Sequence, residues 1–172
     1  VGQQDDALDF MESWSRDHPQ DAVARRALAE GYLRAGRLPQ ARSSYEALLR
    51  DQPDAPDLLN NLANVLARQG DPRALEYAQR AHDLAPQDAA IRDTLGWLLV
   101  GSGQAEAGLR HLREARLRAP QNPTIRYHLA AALAAIGRED EARTELGEAL
   151  STAAEFDELE DARKLQQRLG SR

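Results

Sequence analysis

The sequence predicts an all-α fold built from repeated pairs of antiparallel helices, and three observations carry that prediction. The first is a beat of glycines: Gly2, Gly36, Gly70, Gly103 and Gly137 stand 34, 34, 33 and 34 residues apart. The second is a beat of prolines: Pro19, Pro53, Pro86 and Pro120 stand 34, 33 and 34 apart. The third is a small residue held in the same register, at Ala7, Ala41, Ala74, Gly108 and Ala142. Three markers with one period define a repeat architecture.

Each marker has a physical role. The glycine should end the first helix of a pair, where a left-handed backbone is needed. The small residue should let two helices approach closely. The proline should follow the second helix, which it cannot continue. Between the markers the apolar spacing is helical. Leu28/Tyr32, Leu62/Leu66, Leu95/Leu99 and Leu129/Leu133 are i,i+4 pairs that share a helix face. The one short interval falls at Gly70-Asp71-Pro72-Arg73-Ala74. There Asp71 can cap a helix and Pro72 suits its first position, so the deletion lies in a turn.

The implied map is a single domain over residues 1–172. Residues 3–18 form the second helix of a truncated repeat. Complete repeats run over 22–55, 56–88, 89–122 and 123–155, and a capping helix over 156–169. That last helix has an apolar face of Phe156, Leu159, Ala162, Leu165 and Leu169. Its acids come early and its bases late, as the helix dipole favours. A terminal repeat needs such a cap. A second helix without its first leads to two expectations: more repeats upstream, and self-association through the open N-terminal end. Trp14 falls in a register that predicts core packing.

Composition agrees. Ala, Leu and Arg dominate, Glu and Gln are frequent, aromatics make up 5% and the hydrophobic fraction is 42%. Net charge is −6 with the signs interspersed, and Lys164 is the only lysine. No basic stripe exists to track phosphates, so nucleic acid is not an expected partner. The chain has no cysteine, which removes disulfides and thiolate metal sites. No apolar run is long enough to span a membrane. His18, His82, His111 and His128 show no metal-ligand spacing and read as solvated polar groups, so neither metal nor cofactor is expected. The acids Glu139, Asp140 and Glu141 suit a helix start better than acid–base catalysis. No catalytic residues are expected, and function should reside in a surface.

These residues resemble a tetratricopeptide repeat array. In the third repeat the family pattern reads Leu95, Gly96, Leu99, Gly108, Leu112, Ala115 and Pro120. The family's early Trp position instead holds Arg25, Leu59, Arg92 and Arg126, and its later Phe position holds Tyr45, Ala78, Leu112 and Leu146. The stretches Leu59–Val100, Ile125–Leu146 and Phe156–Leu169 further resemble the C-terminal part of the repeat lipoproteins associated with the exosortase/PEP-CTERM system. That resemblance implies a periplasmic or outer-membrane-tethered scaffold that binds protein or peptide. A regulatory domain of a larger enzyme and a cytoplasmic adaptor are the alternatives.

The family resemblance implies that first helices line a concave groove. Its exposed positions would be Arg26, Glu30 and Arg34, then Asp57, Asn60, Asn61 and Asn64, then Asp93, Thr94 and Trp97, then Thr124, Tyr127 and His128. Three asparagines within five helical positions disfavour the helix, which fits amides that hold an extended peptide, or else a solvated face or inter-helix hydrogen bonds. Trp97 reads either as a binding anchor or as a spacer between first helices. The two-carboxylate clamp of chaperone-binding relatives, built from Lys, Asn and Arg, is matched here by Arg26, Glu30, Asn61, Ala90 and Thr94, where Glu30 would repel a ligand carboxylate and the last two carry no charge. A chaperone cofactor is therefore disfavoured.

Overall fold

The computed structural model describes residues 2–152 and 155–170, with the backbone alone for residues 2–5. Among the described residues all regular structure is helical. The helices are α1 (Gly2–Asp17), α2 (Ala22–Arg34), α3 (Leu38–Asp51), α4 (Pro56–Arg68), α5 (Ala74–Leu84), α6 (Ala89–Gly101), α7 (Ala105–Arg118), α8 (Pro123–Ala135), α9 (Glu139–Thr152) and α10 (Leu159–Gly170). This is the helix-pair solenoid class expected from the period. The chain divides into two compact units at Leu84/Ala85.

The helix boundaries follow from local chemistry. Asp21 caps α2 by accepting from Val23 N and Ala24 N, and Asp88 caps α6 by accepting from Ala90 N and Ile91 N. These contacts, that with Ala24 first, hold the Asp21 carboxyl below its usual range. Asn122 caps α8, where Pro123 opens the helix. Each first helix ends alike. Gly36, Gly70, Gly103 and Gly137 have φ of 71°, 70°, 82° and 78°. The residue after each glycine donates back across the last turn: Arg37 to Tyr32, Asp71 to Leu66, Gln104 to Leu99 and Arg138 to Leu133, all at 2.9 Å. This is a Schellman closure, and it demands the left-handed residue.

In the first unit, successive helices from α1 to α5 pack side by side. Tyr45, Leu48, Leu58, Leu59, Leu62, Ala63, Val65 and Leu66 are buried there. In the second unit, α6 to α10 pack in the same succession and α6 also meets α8. The core there gathers Leu109, Leu112, Leu129, Leu133, Leu146 and Leu165, among others. The tightest approach is between α6 and α7. A Cβ on Gly108 would lie 2.5 Å from the Gly96 carbonyl oxygen and 2.7 Å from Val100 Cγ2. Glycine stands where the other repeats carry alanine because two backbones meet there.

The arginines that replace the family's early Trp act as staples. Arg92 Nε donates to Pro86 O at 2.6 Å and Arg126 Nε to Pro120 O at 2.8 Å. Arg126, only 6% exposed, also holds Glu145 at 2.7 Å. Arg25 instead reaches Asp51 at 2.7 Å. Each guanidinium head thus ties down a turn or a neighbouring helix.

Several expectations fail, chiefly around α1. Gly2 begins α1 instead of ending a first helix. Ala7 is exposed, and Leu8 takes the buried place, against Gly31. Trp14 is 43% exposed, not core. Its ring stacks on His18 at 4.1 Å and its Nε1 donates to Asp21 at 3.2 Å. The repeat register holds only where both helices of a pair constrain it. Pro72 lies in the turn before α5, which begins at Ala74, while Asp71 accepts from Arg73 N. The capping helix begins at Leu159, and Phe156 lies in the preceding turn.

Candidate functional site

In the first unit the candidates lie on α2 and α4. Arg26 pairs with Asp57. Glu30 and Asn61 are half-buried and face the Tyr45 hydroxyl. Tyr45 is fully buried, and the loss of water, with Glu30 second, pushes its phenol up to about 12. Asn61 lies beside that hydroxyl without a hydrogen bond of good geometry. Asn64 is half-buried. Asn60 is a correction: it is 8% exposed, and its Oδ1 has no hydrogen-bond partner among the described residues. A buried amide oxygen left without a donor is costly.

In the second unit the candidates come from α6 and α8, and here the structure brings them together. His128 Nδ1 lies 2.9 and 3.0 Å from the two Asp93 oxygens. The imidazole stacks flat on Trp97, with centroids 4.2 Å apart and planes 12° apart. Tyr127 completes the cluster, 5.9 Å from Trp97 and 5.6 Å from His128. Thr124 donates to Glu158 at 3.0 Å. Exposure differs from the expectation that these positions are open. Asp93, Thr94, Tyr127 and His128 are buried, and Trp97 is half-buried. His128 is therefore not solvated, because α6 supplies a carboxylate to it and an indole to cover it. Burial raises the Tyr127 phenol above its usual range.

The sequence reading missed the groove beside this cluster. It holds about 280 Å³ and is lined by Tyr127, Ala131, Asp161, Lys164, Leu165 and Arg168. Lys164 pairs with Asp161 at 2.8 Å. The register could have found it. One further period of 34 carries Thr124 to Glu158, Tyr127 to Asp161 and Ala131 to Leu165. The capping helix thus keeps the register of a first helix. No group of His, Asp and Glu suited to a metal occurs among the described residues. No helix among them is long and apolar enough to cross a membrane.

Comparison with known proteins agrees with the period. Family models described as Tetratricopeptide repeat match residues 26–89 and 99–169. A TPR repeat-containing protein of Pseudomonas aeruginosa is 31% identical over 127 residues, covering 70% of this chain and 21% of that protein. Cellulose synthase operon protein C of Pseudomonas fluorescens is 32% identical over 140 residues, covering 76% of this chain and 11% of that protein. The chain therefore spans only a small part of the length of these relatives. Among solved structures, a thermophilic TPR protein of Thermus thermophilus superposes with a TM-score of 0.76 at 25% identity. That match covers 99% of this chain and 90% of the other.

Proposed function

The chain belongs to the tetratricopeptide repeat family, and from that premise we propose that it is a non-catalytic scaffold that binds a protein or peptide through its first helices. The observation that carries the proposal is the Trp97 ring. It is half-buried, clamped flat by a His128 that Asp93 holds, and flanked by Tyr127. A rigid aromatic whose ordering has already been completed is what an anchor residue needs. Asn61 and Asn64 on α4 offer amides suited to a peptide backbone. Tetratricopeptide-repeat proteins generally act as scaffolds, which favours this reading over catalysis.

The proposed setting is the bacterial cell envelope, in an exopolysaccharide or protein-sorting system of the exosortase/PEP-CTERM kind. The similarity to a cellulose synthase operon protein supports an exopolysaccharide connection. The resemblance at Leu59–Val100 supports the sorting connection. The periplasm or outer membrane would then be its location.

The test is capture from an envelope extract with the purified chain, mass spectrometry, and titration of the peptide so identified. Trp97→Ala or Asn64→Ala is expected to weaken binding by about 1–2 kcal/mol. Affinity should change little with salt. A partner indifferent to both substitutions but lost on Arg110→Ala or Arg113→Ala would move the site to the second helices and refute the proposal.

A further inference from the structure

His128 is the one deeply buried imidazole of the second unit that meets two carboxylates from different elements. Its Nδ1 faces Asp93 of α6, as described above. Its Nε2 is buried, has no hydrogen-bond partner, and points toward Glu158 Oε1 at 4.0 Å. Glu158 lies in the turn that leads into α10, 30% exposed at its side chain and tethered to Thr124. A neutral ring that gives its Nδ1 proton to Asp93 must turn the lone pair of Nε2 toward that carboxylate. Two acceptors then face each other, and the nitrogen has no water to satisfy it.

We infer that His128 is a proton-operated latch joining α6, α8 and the start of the capping helix. A proton on Nε2 converts the acceptor pair into a charge-assisted hydrogen bond once Glu158 closes the remaining distance. The same imidazolium lies against the Trp97 face, where a cation is attracted by the ring. Acidification therefore draws the turn at 155–158 onto α8 and strengthens the existing stack on Trp97. The neutral ring leaves the turn held by Thr124 and by the packing of Phe156 on the core.

Charged and titratable groups lie around the latch on α6, α8, α10 and the turn before α10. Asp93 faces it from α6 and Glu158 from the turn. Tyr127 is its neighbour on α8. On α10, Asp161, Lys164 and Arg168 act on Tyr127. Arg126 turns to the other side of α8, to Glu145 on α9. Glu158 is thus the acceptor whose removal isolates the latch.

The test uses the whole chain and two readouts across about pH 8 to pH 5, the window in which imidazoles charge. One is the histidine ring signal by NMR, which reports protonation of His128 directly. The other is hydrogen-exchange protection of the α10 amides, corrected for the intrinsic pH dependence of exchange. In the wild type, protection should rise by about tenfold on acidification, the effect of one charge-assisted hydrogen bond. Glu158→Gln supplies an amide that donates to the neutral Nε2. Its α10 should be protected at both pH values, with no rise. His128→Asn, which keeps a donor for Asp93, should show low protection at both. Equal pH dependence in the wild type and Glu158→Gln, or none in the wild type, would overturn the latch.

Discussion

Replacing Gly108 by Ala should destabilise the second unit, although alanine is the better helix former. The perturbation is one methyl group. On Gly108 it would sit 2.5 Å from the Gly96 carbonyl oxygen, 2.7 Å from Val100 Cγ2 and 3.1 Å from Val100 N. Two of these atoms are backbone, so no side-chain rotation relieves the contact. The helices α6 and α7 must part by roughly 1 Å, and a gap of that size forfeits a quarter to a half of each dispersion contact. Overpacking of this kind costs about 3 kcal/mol, at the upper end of the usual range. The propensity gain returns about 1 kcal/mol, leaving a net loss of about 2 kcal/mol. For a cooperative unit of this size that corresponds to about 10 °C in melting midpoint. The control is Gly147→Ala on the exposed face of α9, where an added Cβ meets nothing within 4 Å. It should gain about 0.5–1 kcal/mol. Thermal unfolding followed by circular dichroism compares the three chains. A Gly108→Ala protein as stable as Gly147→Ala would refute the close-approach argument.

Two further outcomes follow from the buried polar groups. Glu145→Ala removes the carboxylate that holds the buried Arg126 guanidinium and should lower stability by about 3 kcal/mol, read as a urea midpoint. No loss would mean that Pro120 O and Glu148, 4.0 Å away, suffice for Arg126. Tyr45 is raised to about 12, so its stabilising contribution is intact below its ordinary 10.0 and is lost as pH rises toward the folded value. Urea titrations between those limits should show a steep alkaline decline that Tyr45→Phe flattens; an unchanged decline would place the effect elsewhere.

The period makes much of this protein legible in its sequence. A glycine at each first-helix end implies a left-handed closure, because other residues resist that backbone. All four such glycines in the interior of the chain adopt it. Alanine at Ala41 and Ala142 implies close helices, and both are fully buried. Such inferences succeed because they depend on local sterics and on spacing, which the sequence carries. The site was less legible. Trp97, Tyr127 and His128 were identifiable by register, but not that α6 offers Asp93 to His128 at 2.9 Å. Trp14 shares the register of a core residue yet lies half in solvent. Burial is a property of what lies opposite, and register describes only one side of a contact. The sequence alone therefore determined the helical repeat and the left-handed ends of the first helices α2, α4, α6 and α8. Only the tertiary structure decided which polar side chains meet, and so turned a row of expected open positions into a buried carboxylate–imidazole pair stacked on a half-buried indole. The physical reason is that side-chain partnership depends on distances between elements about 35 residues apart, to which a repeat contributes position but not chemistry.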